Sequence, residues 1–207
     1  DCLEELTALE YIWLDLSFAS PMEQLSPELF INIEPLNLDQ IIDFSMIFSR
    51  IIDYRSTFTA NHSSGVAKTA EKLAQIFGYS ENECKMMLVA GYLHDLGKLA
   101  IPNTILEKPG KLTEEEFSII KSHPFYTHRI LNVINGFDVI SKWAAYHHEK
   151  PNGTGYPFHL CDHELPLGSR IVAVADVFTA ITEDRLYRTG MTDWQCVNVL
   201  EEMMLKG

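Results

Sequence analysis

Apolar residues recur every three or four positions along most of the chain, which is the spacing of one face of an α-helix. The strongest such run follows Leu38 and contains Ile41, Ile42, Phe44, Ile47, Phe48, Ile51 and Ile52. A second run extends from Val66 to Phe77 and stops at Gly78, a residue type that favours helix C-termini. The alternation of apolar and polar residues that indicates strands is missing from these runs. We therefore predict an all-α fold, a helical bundle.

Two further helix starts are indicated by capping boxes, in which a Ser or Thr is followed three residues later by Glu. Ser80 and Glu83 form one such pair, and Thr113 and Glu116 form the other. Later apolar runs predict helices over about 127–134, 137–149, 168–182 and 192–205.

The N-terminal region differs from the rest, so we divide the chain into a helical appendage, residues 1–36, and a main domain, residues 37–207. The appendage has apolar residues at helical spacing and is then interrupted by Pro21, Pro27 and Pro35. Two interpretations remain open: a linker helix that packs on its own domain, or a helix for homodimerisation or signal input. Because the sequence starts with Asp1 rather than Met, we expect a longer parent protein, which could carry a sensor domain.

Composition narrows the class of protein. Apolar residues make up 46% of the 207 positions and charged residues 22%, which is typical of a globular domain. The formal net charge of -13 disfavours broad binding to duplex nucleic acid, which relies on Lys and Arg. The four cysteines are far apart, so we expect reduced thiols and a cytoplasmic location. No apolar run approaches the roughly 20 residues of a membrane span.

Two short segments carry the candidate chemistry. Residues 94–98 read His-Asp-Leu-Gly-Lys, and residues 147–157 read His-His-Glu-Lys-Pro-Asn-Gly-Thr-Gly-Tyr-Pro. Imidazole and carboxylate are ligands for divalent iron, manganese and zinc, and a nearby Lys can hold a phosphate. The two segments resemble the signatures of the HD-GYP family, metal-dependent phosphodiesterases of the HD superfamily that cleave cyclic di-GMP in bacteria. The resemblance covers about residues 38–205 and implies the helical bundle of that superfamily.

The resemblance implies a dinuclear metal centre. The seven family ligand positions are matched by His62, His94, Asp95, His123, His147, His148 and Asp176. Asp95 would bridge the two ions, with His62, His94 and Asp176 around one and the remaining three histidines around the other. Phe58 stands where some family members have a Glu that holds a third metal. Iron or manganese is the expected metal, with zinc, nickel and cobalt as alternatives. His128, His159 and His163 match no ligand position, and we predict surface or loop positions for them.

The chemistry implied by the resemblance is hydrolysis of the 3′-5′ phosphodiester by a metal-activated hydroxide, giving pGpG and then GMP. Lys98 would contact a phosphate oxygen, although a surface salt bridge is the alternative. The loop after the tandem histidines would contact substrate or only brace the helix end; its residues are Asn152, Gly153, Gly155, Tyr156 and Pro157.

Farther along the chain, Arg185 and Arg188 match a basic family segment and would recognise phosphate or guanine, or else pair with charges at the helix end. Thr179 and Leu186 depart from the family, which usually has Asp and Pro at these positions. The departures bear on the fit of the substrate rather than on metal binding.

Three other functions compete with cleavage of cyclic di-GMP. One is a phosphodiesterase for another cyclic dinucleotide, such as cyclic GMP-AMP. A second is a catalytically weak HD-GYP domain that acts as a sensor or interaction module, although such domains usually lack ligands that this chain retains. The third is an HD-type di-iron oxygenase, which the Gly-Tyr-Pro segment disfavours.

Overall fold

The computed structural model describes residues 35–55, 61–183 and 190–206, and in these ranges the chain is a bundle of α-helices without a β-sheet. The helices are α1 Leu38–Arg55, α2 His62–Ile76, α3 Glu81–Leu93, α4 Asn103–Leu106, α5 Glu114–Lys121, α6 His123–Asn132, α7 Asp138–Ala145, α8 Leu167–Thr182 and α9 Asp193–Lys206. A 3-10 helix, Leu96–Ala100, lies between α3 and α4. The prediction of an all-α helical bundle is confirmed.

Both predicted capping boxes are present. The Ser80 backbone N–H donates to the Glu83 carboxylate at 2.8 Å, and Thr113 makes the equivalent bond to Glu116 at the same distance. The helix predicted over 137–149 is shorter than expected, because α7 ends at Ala145. The tandem histidines therefore lie just beyond a helix end, where the backbone is irregular.

Small residues let the central helices approach closely. α2 presents Val66, Ala67, Ala70 and Ala74 to the core, all with no exposed surface. A Cβ placed on Gly91 of α3 would lie only 2.5 Å from the Ala67 Cα, so this crossing requires glycine. The close packing of α2 on α3, and of α8 on α2, brings His62, the end of α3 and the middle of α8 to one place.

A similar contact joins the end of α3 to α6. A Cβ on Gly97 would collide with the backbone carbonyl of His123. The Thr127 hydroxyl accepts a hydrogen bond from the Gly97 N–H at 2.9 Å and donates to the His94 carbonyl at 3.1 Å. These bonds fix the His-Asp doublet against the start of α6.

α1 is apolar on two sides, but only one of them packs on the bundle. Ile52 is buried, whereas Phe44, Ile47, Phe48 and Ile51 are each about half exposed. Within the described ranges, no helix is long and apolar enough to cross a membrane. The predicted appendage falls almost wholly outside the described residues, so its helix and the boundary at residue 36 remain predictions.

Candidate metal centre

The seven predicted ligands converge in one buried cluster. They are His62 at the start of α2, His94 and Asp95 just after α3, His123 at the start of α6, His147 and His148 just after α7, and Asp176 within α8. Three overlapping trios have ligand atoms within 4.8 Å of one another: His62 with His94 and Asp176, His94 with Asp95 and His147, and His123 with His147 and His148.

Three of the histidines are oriented by the backbone. The Nδ1 atoms of His94, His123 and His147 lie 2.7–2.8 Å from the carbonyl oxygen three residues earlier in the chain. A protonated Nδ1 donates to that carbonyl, so that in the neutral imidazole Nε2 carries a lone pair directed into the cluster. This is the arrangement that a histidine ligand needs.

Unsatisfied atoms show that a divalent cation fits this cluster. Nε2 of His94, His123 and His147 and Oδ1 of Asp95 are buried, and none has a hydrogen-bond partner among the described residues. A buried polar atom without a partner costs about 1–3 kcal/mol. Four such atoms facing one another are unfavourable unless a bound group satisfies them, and nitrogen and oxygen donors together suit a transition metal.

Asp95 occupies the centre of the cluster. Its Oδ1 lies 3.1 Å from His123 Nε2, and its Oδ2 lies 3.3 Å from His94 Nε2. Lys98 donates a hydrogen bond to Oδ2. Burial alone would raise the pKa of Asp95, but Lys98 and His94 outweigh it and hold the pKa well below its usual value. The carboxylate is therefore anionic, and its two oxygens face different histidines.

A second carboxylate closes the other end of the cluster. Asp176 Oδ1 lies 3.0 Å from His62 Nε2. Burial opposes ionisation of Asp176, but the hydrogen bond with His62 and the nearby His94 lower its pKa far below the ordinary value. The pair brings one anionic and one imidazole ligand together.

The histidines differ in protonation in the metal-free protein. Burial, reinforced by neighbouring histidines, lowers the pKa of His147 well below its usual range and that of His148 to about 3. His94 behaves oppositely: burial lowers its pKa, but Asp95 and Asp176 outweigh burial and raise the pKa to about 9. Two histidines are thus neutral and ready to ligate, whereas His94 must lose a proton when a metal binds.

Lys98 is placed beside the cluster rather than on the outer surface. Its side chain is 24% exposed and its ammonium bonds to a buried carboxylate. Burial lowers the pKa of Lys98, but Asp95 outweighs burial and the net shift is upward. Lys98 therefore remains a cation at the edge of the metal cluster.

The Gly-Tyr-Pro loop turns back over the tandem histidines. The Tyr156 ring centre lies 4.8 Å from the ring centre of His148. The ammonium of Lys121, the last residue of α5, lies 5.5 Å from the Tyr156 ring centre. Glu149, which sequence reasoning did not single out, is buried and accepts hydrogen bonds from the Phe158 and Leu160 N–H groups at 2.7 and 3.0 Å. The loop is therefore braced from within.

Small residues shape the same loop. A Cβ on Gly155 would collide with the backbone of Glu149 and Lys150, so Gly155 permits the tight return. Pro157, which follows Tyr156 through a cis peptide bond, is fully buried. The exposed Asn152 side chain accepts bonds from the Thr154 N–H and hydroxyl, and so shapes the turn.

The other residues singled out in the sequence fall into two groups. Arg185, Arg188, Phe58 and Leu186 fall outside the described residues. His159 and His163 are exposed loop residues, as expected. The expectation for His128 is wrong, because it lies in α6, half-buried, with its ring stacked on Tyr146.

Two carboxylates near His62 were missed. Asp53 of α1 accepts bonds from the Ser63 N–H at 3.1 Å and the Ser63 hydroxyl at 2.6 Å. It thereby satisfies the start of α2, whose N-cap residue Asn61 makes no side-chain cap bond. Glu183, at the end of α8, places Oε2 3.5 Å from His62 Nδ1. Neither contact leaves a short-range sequence signal, because each depends on how the helices pack.

Several known proteins are similar to this chain in sequence. A family model described as an HD domain matches residues 46–206. The 3'3'-cGAMP-specific phosphodiesterase 1 of Vibrio cholerae is 34% identical over 200 residues, which cover 96% of this chain and 46% of that protein. The cyclic di-GMP phosphodiesterase response regulator RpfG of Xanthomonas campestris is 40% identical over 146 residues, 70% of this chain and 39% of that protein.

The fold also matches a solved structure. An HDG"Y"P protein from Bdellovibrio bacteriovorus superposes with a TM-score of 0.55 at 18% identity, covering 83% of this chain and 65% of that one. At this identity the likeness concerns the fold alone. The chain spans about half the length, or less, of the curated relatives it matches.

Proposed function

The chain belongs to the HD domain family, and we propose that it is a metal-dependent phosphodiesterase that hydrolyses cyclic di-GMP to pGpG and then GMP. The observation that carries the proposal is the set of buried, unpartnered nitrogen and oxygen atoms directed into one cluster. The complete ligand set argues against a catalytically weak sensor or interaction module, since every predicted ligand position retains a ligand-type side chain.

In this proposal Asp95 would help to hold both cations. His62, His94 and Asp176 would hold one, and His123, His147 and His148 the other, matching two of the observed trios. Iron or manganese suits such mixed nitrogen and oxygen ligands best, with zinc, nickel and cobalt as alternatives. When bound, the two ions would neutralise phosphate charge and lower the pKa of a water molecule.

Lys98 would hold the scissile phosphate. An ammonium has three N–H donors, and in this structure Asp95 takes one of them. The others can reach a phosphate oxygen at the edge of the cluster. Because Asp95 keeps Lys98 cationic, its charge is available to offset the negative charge that grows on phosphate during hydrolysis.

The Gly-Tyr-Pro loop would cover the substrate. Burial, followed by the charges of Asp95 and Asp176, raises the pKa of Tyr156, so its phenol stays protonated. Its ring, beside His148, offers a surface on which a base can stack. Asn152, Gly155 and Pro157 would hold the loop shape. The guanidinium groups of Arg185 and Arg188 are proposed to bind phosphate or guanine.

Cyclic GMP-AMP is the second candidate substrate. Two Vibrio cholerae relatives that are 34% and 32% identical to the chain are described as 3'3'-cGAMP-specific phosphodiesterases. To separate the candidates, metal-loaded protein is incubated with each dinucleotide in parallel and the products are separated by chromatography. We expect faster release of pGpG and GMP from cyclic di-GMP. Faster turnover of cyclic GMP-AMP would reassign the substrate, and metal-loaded protein that cleaves neither would favour the sensor function.

The wider setting is proposed on the same basis. All curated relatives described above are bacterial proteins. We propose that the chain works in the bacterial cytoplasm, as part of a longer protein with a sensor domain, and that it forms a homodimer. Size-exclusion chromatography with light scattering tests the last point.

A further inference from the structure

His62 is held differently from three of the other four predicted histidine ligands. The Nδ1 atoms of His94, His123 and His147 each face a backbone carbonyl. His62 Nδ1 instead lies 3.5 Å from Oε2 of Glu183, a carboxylate that comes from the end of α8. Its Nε2 faces Asp176 at 3.0 Å, so the ring lies between two carboxylates.

The two facing atoms have little alternative. His62 Nδ1 and Glu183 Oε2 are both buried, and neither has a hydrogen-bond partner among the described residues. The side chains as a whole are 14% and 22% exposed. A hydrogen bond between them requires the two atoms to move a few tenths of an ångström closer, with the N–H directed at Oε2. Such a bond would satisfy both buried atoms.

We propose that Glu183 is a positioning residue for the metal centre: its carboxylate accepts the Nδ1–H of His62 and so directs Nε2 toward the cation shared with Asp176. This inference rests on the metal centre of the proposed function. A carboxylate on the far nitrogen fixes the tautomer and the ring orientation of a histidine ligand, and it makes the ligating nitrogen more basic. Backbone carbonyls supply that orientation to His94, His123 and His147.

The surrounding residues leave room for this carboxylate. A Cβ placed on Gly65, in the first turn of α2, would lie 2.6 Å from the Thr179 Cγ2 and 3.5 Å from Glu183 Oε1. Both side chains therefore lie beside Gly65, and the Glu183 N–H donates to the Thr179 carbonyl at 3.0 Å. Thr179 brings no carboxylate, and its hydroxyl is buried without a partner among the described residues, so the carboxylate beside Gly65 is that of Glu183.

Metal binding tests the role without relying on activity. Metal-stripped protein is titrated with Mn²⁺ alone under anaerobic conditions, and calorimetry follows the two binding events. In Glu183→Ala we expect one of the two affinities to fall about 10- to 100-fold while the other stays within error. Glu183→Gln keeps the shape and an acceptor oxygen but loses the charge, so a smaller fall is expected. Glu107→Gln, a change of the same kind at an exposed residue, is the control.

The tautomer of His62 gives an independent readout. Nitrogen NMR of Zn²⁺-loaded, ¹⁵N-histidine-labelled protein should show a protonated Nδ1 on His62 in wild type, and exchange broadening of that signal in Glu183→Ala. Unchanged affinities and an unchanged His62 signal in both Glu183 variants would overturn the role of Glu183. An equal fall in the affinities for both ions would overturn it as well. Wild-type protein that binds no metal would instead contradict the metal centre itself.

Discussion

Asp95 Oδ1 lies 3.1 Å from His123 Nε2, and neither atom has a hydrogen-bond partner among the described residues. Both side chains are almost completely buried, at 6% and 2% exposure. Close approach without hydrogen-bond geometry is what two ligands of one ion show when their lone pairs both point at it. The contact is held by Gly97, because only a glycine lets the His-Asp segment pack on the start of α6.

Removing Asp95 should remove both metals. We expect Asp95→Ala to lose hydrolysis and most of its bound metal. Among the described residues, Asp95 is the carboxylate that contacts a histidine of each expected metal site, His94 of one and His123 of the other. Elemental analysis and product chromatography measure the two effects. Asp39→Ala, which removes an exposed carboxylate from α1, should keep both metals and full activity. An Asp95→Ala protein with full metal occupancy and normal turnover would refute the bridging role.

Lys98→Ala should separate metal binding from catalysis. Its ammonium is proposed to contact phosphate rather than metal, so we expect the metal content to stay near that of wild type while kcat falls roughly 100-fold. Lys108→Ala, which breaks the pair with Glu116 away from the cluster, is the matched control and should leave kcat unchanged. If Lys98→Ala and Lys108→Ala have the same rate as wild type, Lys98 lies outside the reaction.

Gly97→Ala tests how the doublet is positioned. The added Cβ would collide with the His123 carbonyl and approach the Thr127 backbone nitrogen at 2.7 Å, so we expect a loss of roughly 1–3 kcal/mol in the free energy of unfolding. Metal affinity should fall with it, because Asp95 and His123 move apart. Denaturant unfolding and metal titration measure both.

The control for this change is Gly78→Ala, whose Cβ meets no atom within 4 Å but whose φ of 79° is strained for alanine. It should cost a similar amount, about 1–2 kcal/mol, and leave metal affinity unchanged. Equal metal affinities in the two variants would argue against the packing role of Gly97.

The stability of the metal-free protein should be greatest near pH 6.5. Burial, chiefly, lowers the pKa of His148 to about 3, so below pH 6.5 the unfolded chain binds a proton that the native chain does not. Stability therefore falls as the pH falls from about 6.5, by about 1.4 kcal/mol per pH unit for each such proton. His147, with its pKa also well below the usual range, acts in the same direction.

His94 causes the stability of the metal-free protein to fall above pH 6.5. Burial lowers its pKa, but Asp95 and Asp176 raise it to about 9, so between about pH 6.5 and 9 the native chain holds the extra proton. That stabilisation is complete below pH 6.5 and is lost as the pH rises through 9. Urea unfolding of chelator-treated protein, repeated at pH values below and above 6.5, measures the fall in stability on both sides of the maximum. His148→Gln should reduce the fall in stability below pH 6.5 without abolishing it, because His147 acts in the same direction, and should leave the fall above pH 6.5 unchanged. A stability curve that rises steadily to pH 9 would contradict these protonation states.

Local signals in the sequence predicted the frame of the bundle. The starts at Ser80 and Thr113 were predictable because capping bonds join residues three positions apart. The family resemblance supplied the seven ligand positions, and the structure brings all seven into one cluster. The end of α7 was predicted too late, since the apolar pattern runs past Ala145 into the tandem histidines.

The supporting contacts could not be predicted, because they join separate helices. Asp53 caps α2 from α1, and Glu183 reaches His62 from the end of α8. His128 was expected at the surface because it matches no ligand position, yet its ring packs against Tyr146 and Phe158. Such contacts depend on the crossing of helices, which residue spacing along one chain segment does not specify.

The proposed dinuclear, catalytic metal centre is tested most directly by the metal content of anaerobically purified protein, measured together with its turnover of cyclic di-GMP. We expect about two ions of iron or manganese per chain, with pGpG and GMP appearing only when both are present. Protein that stays metal-free after anaerobic loading with iron or manganese, while its helical fold is intact by circular dichroism, would contradict the dinuclear metal centre.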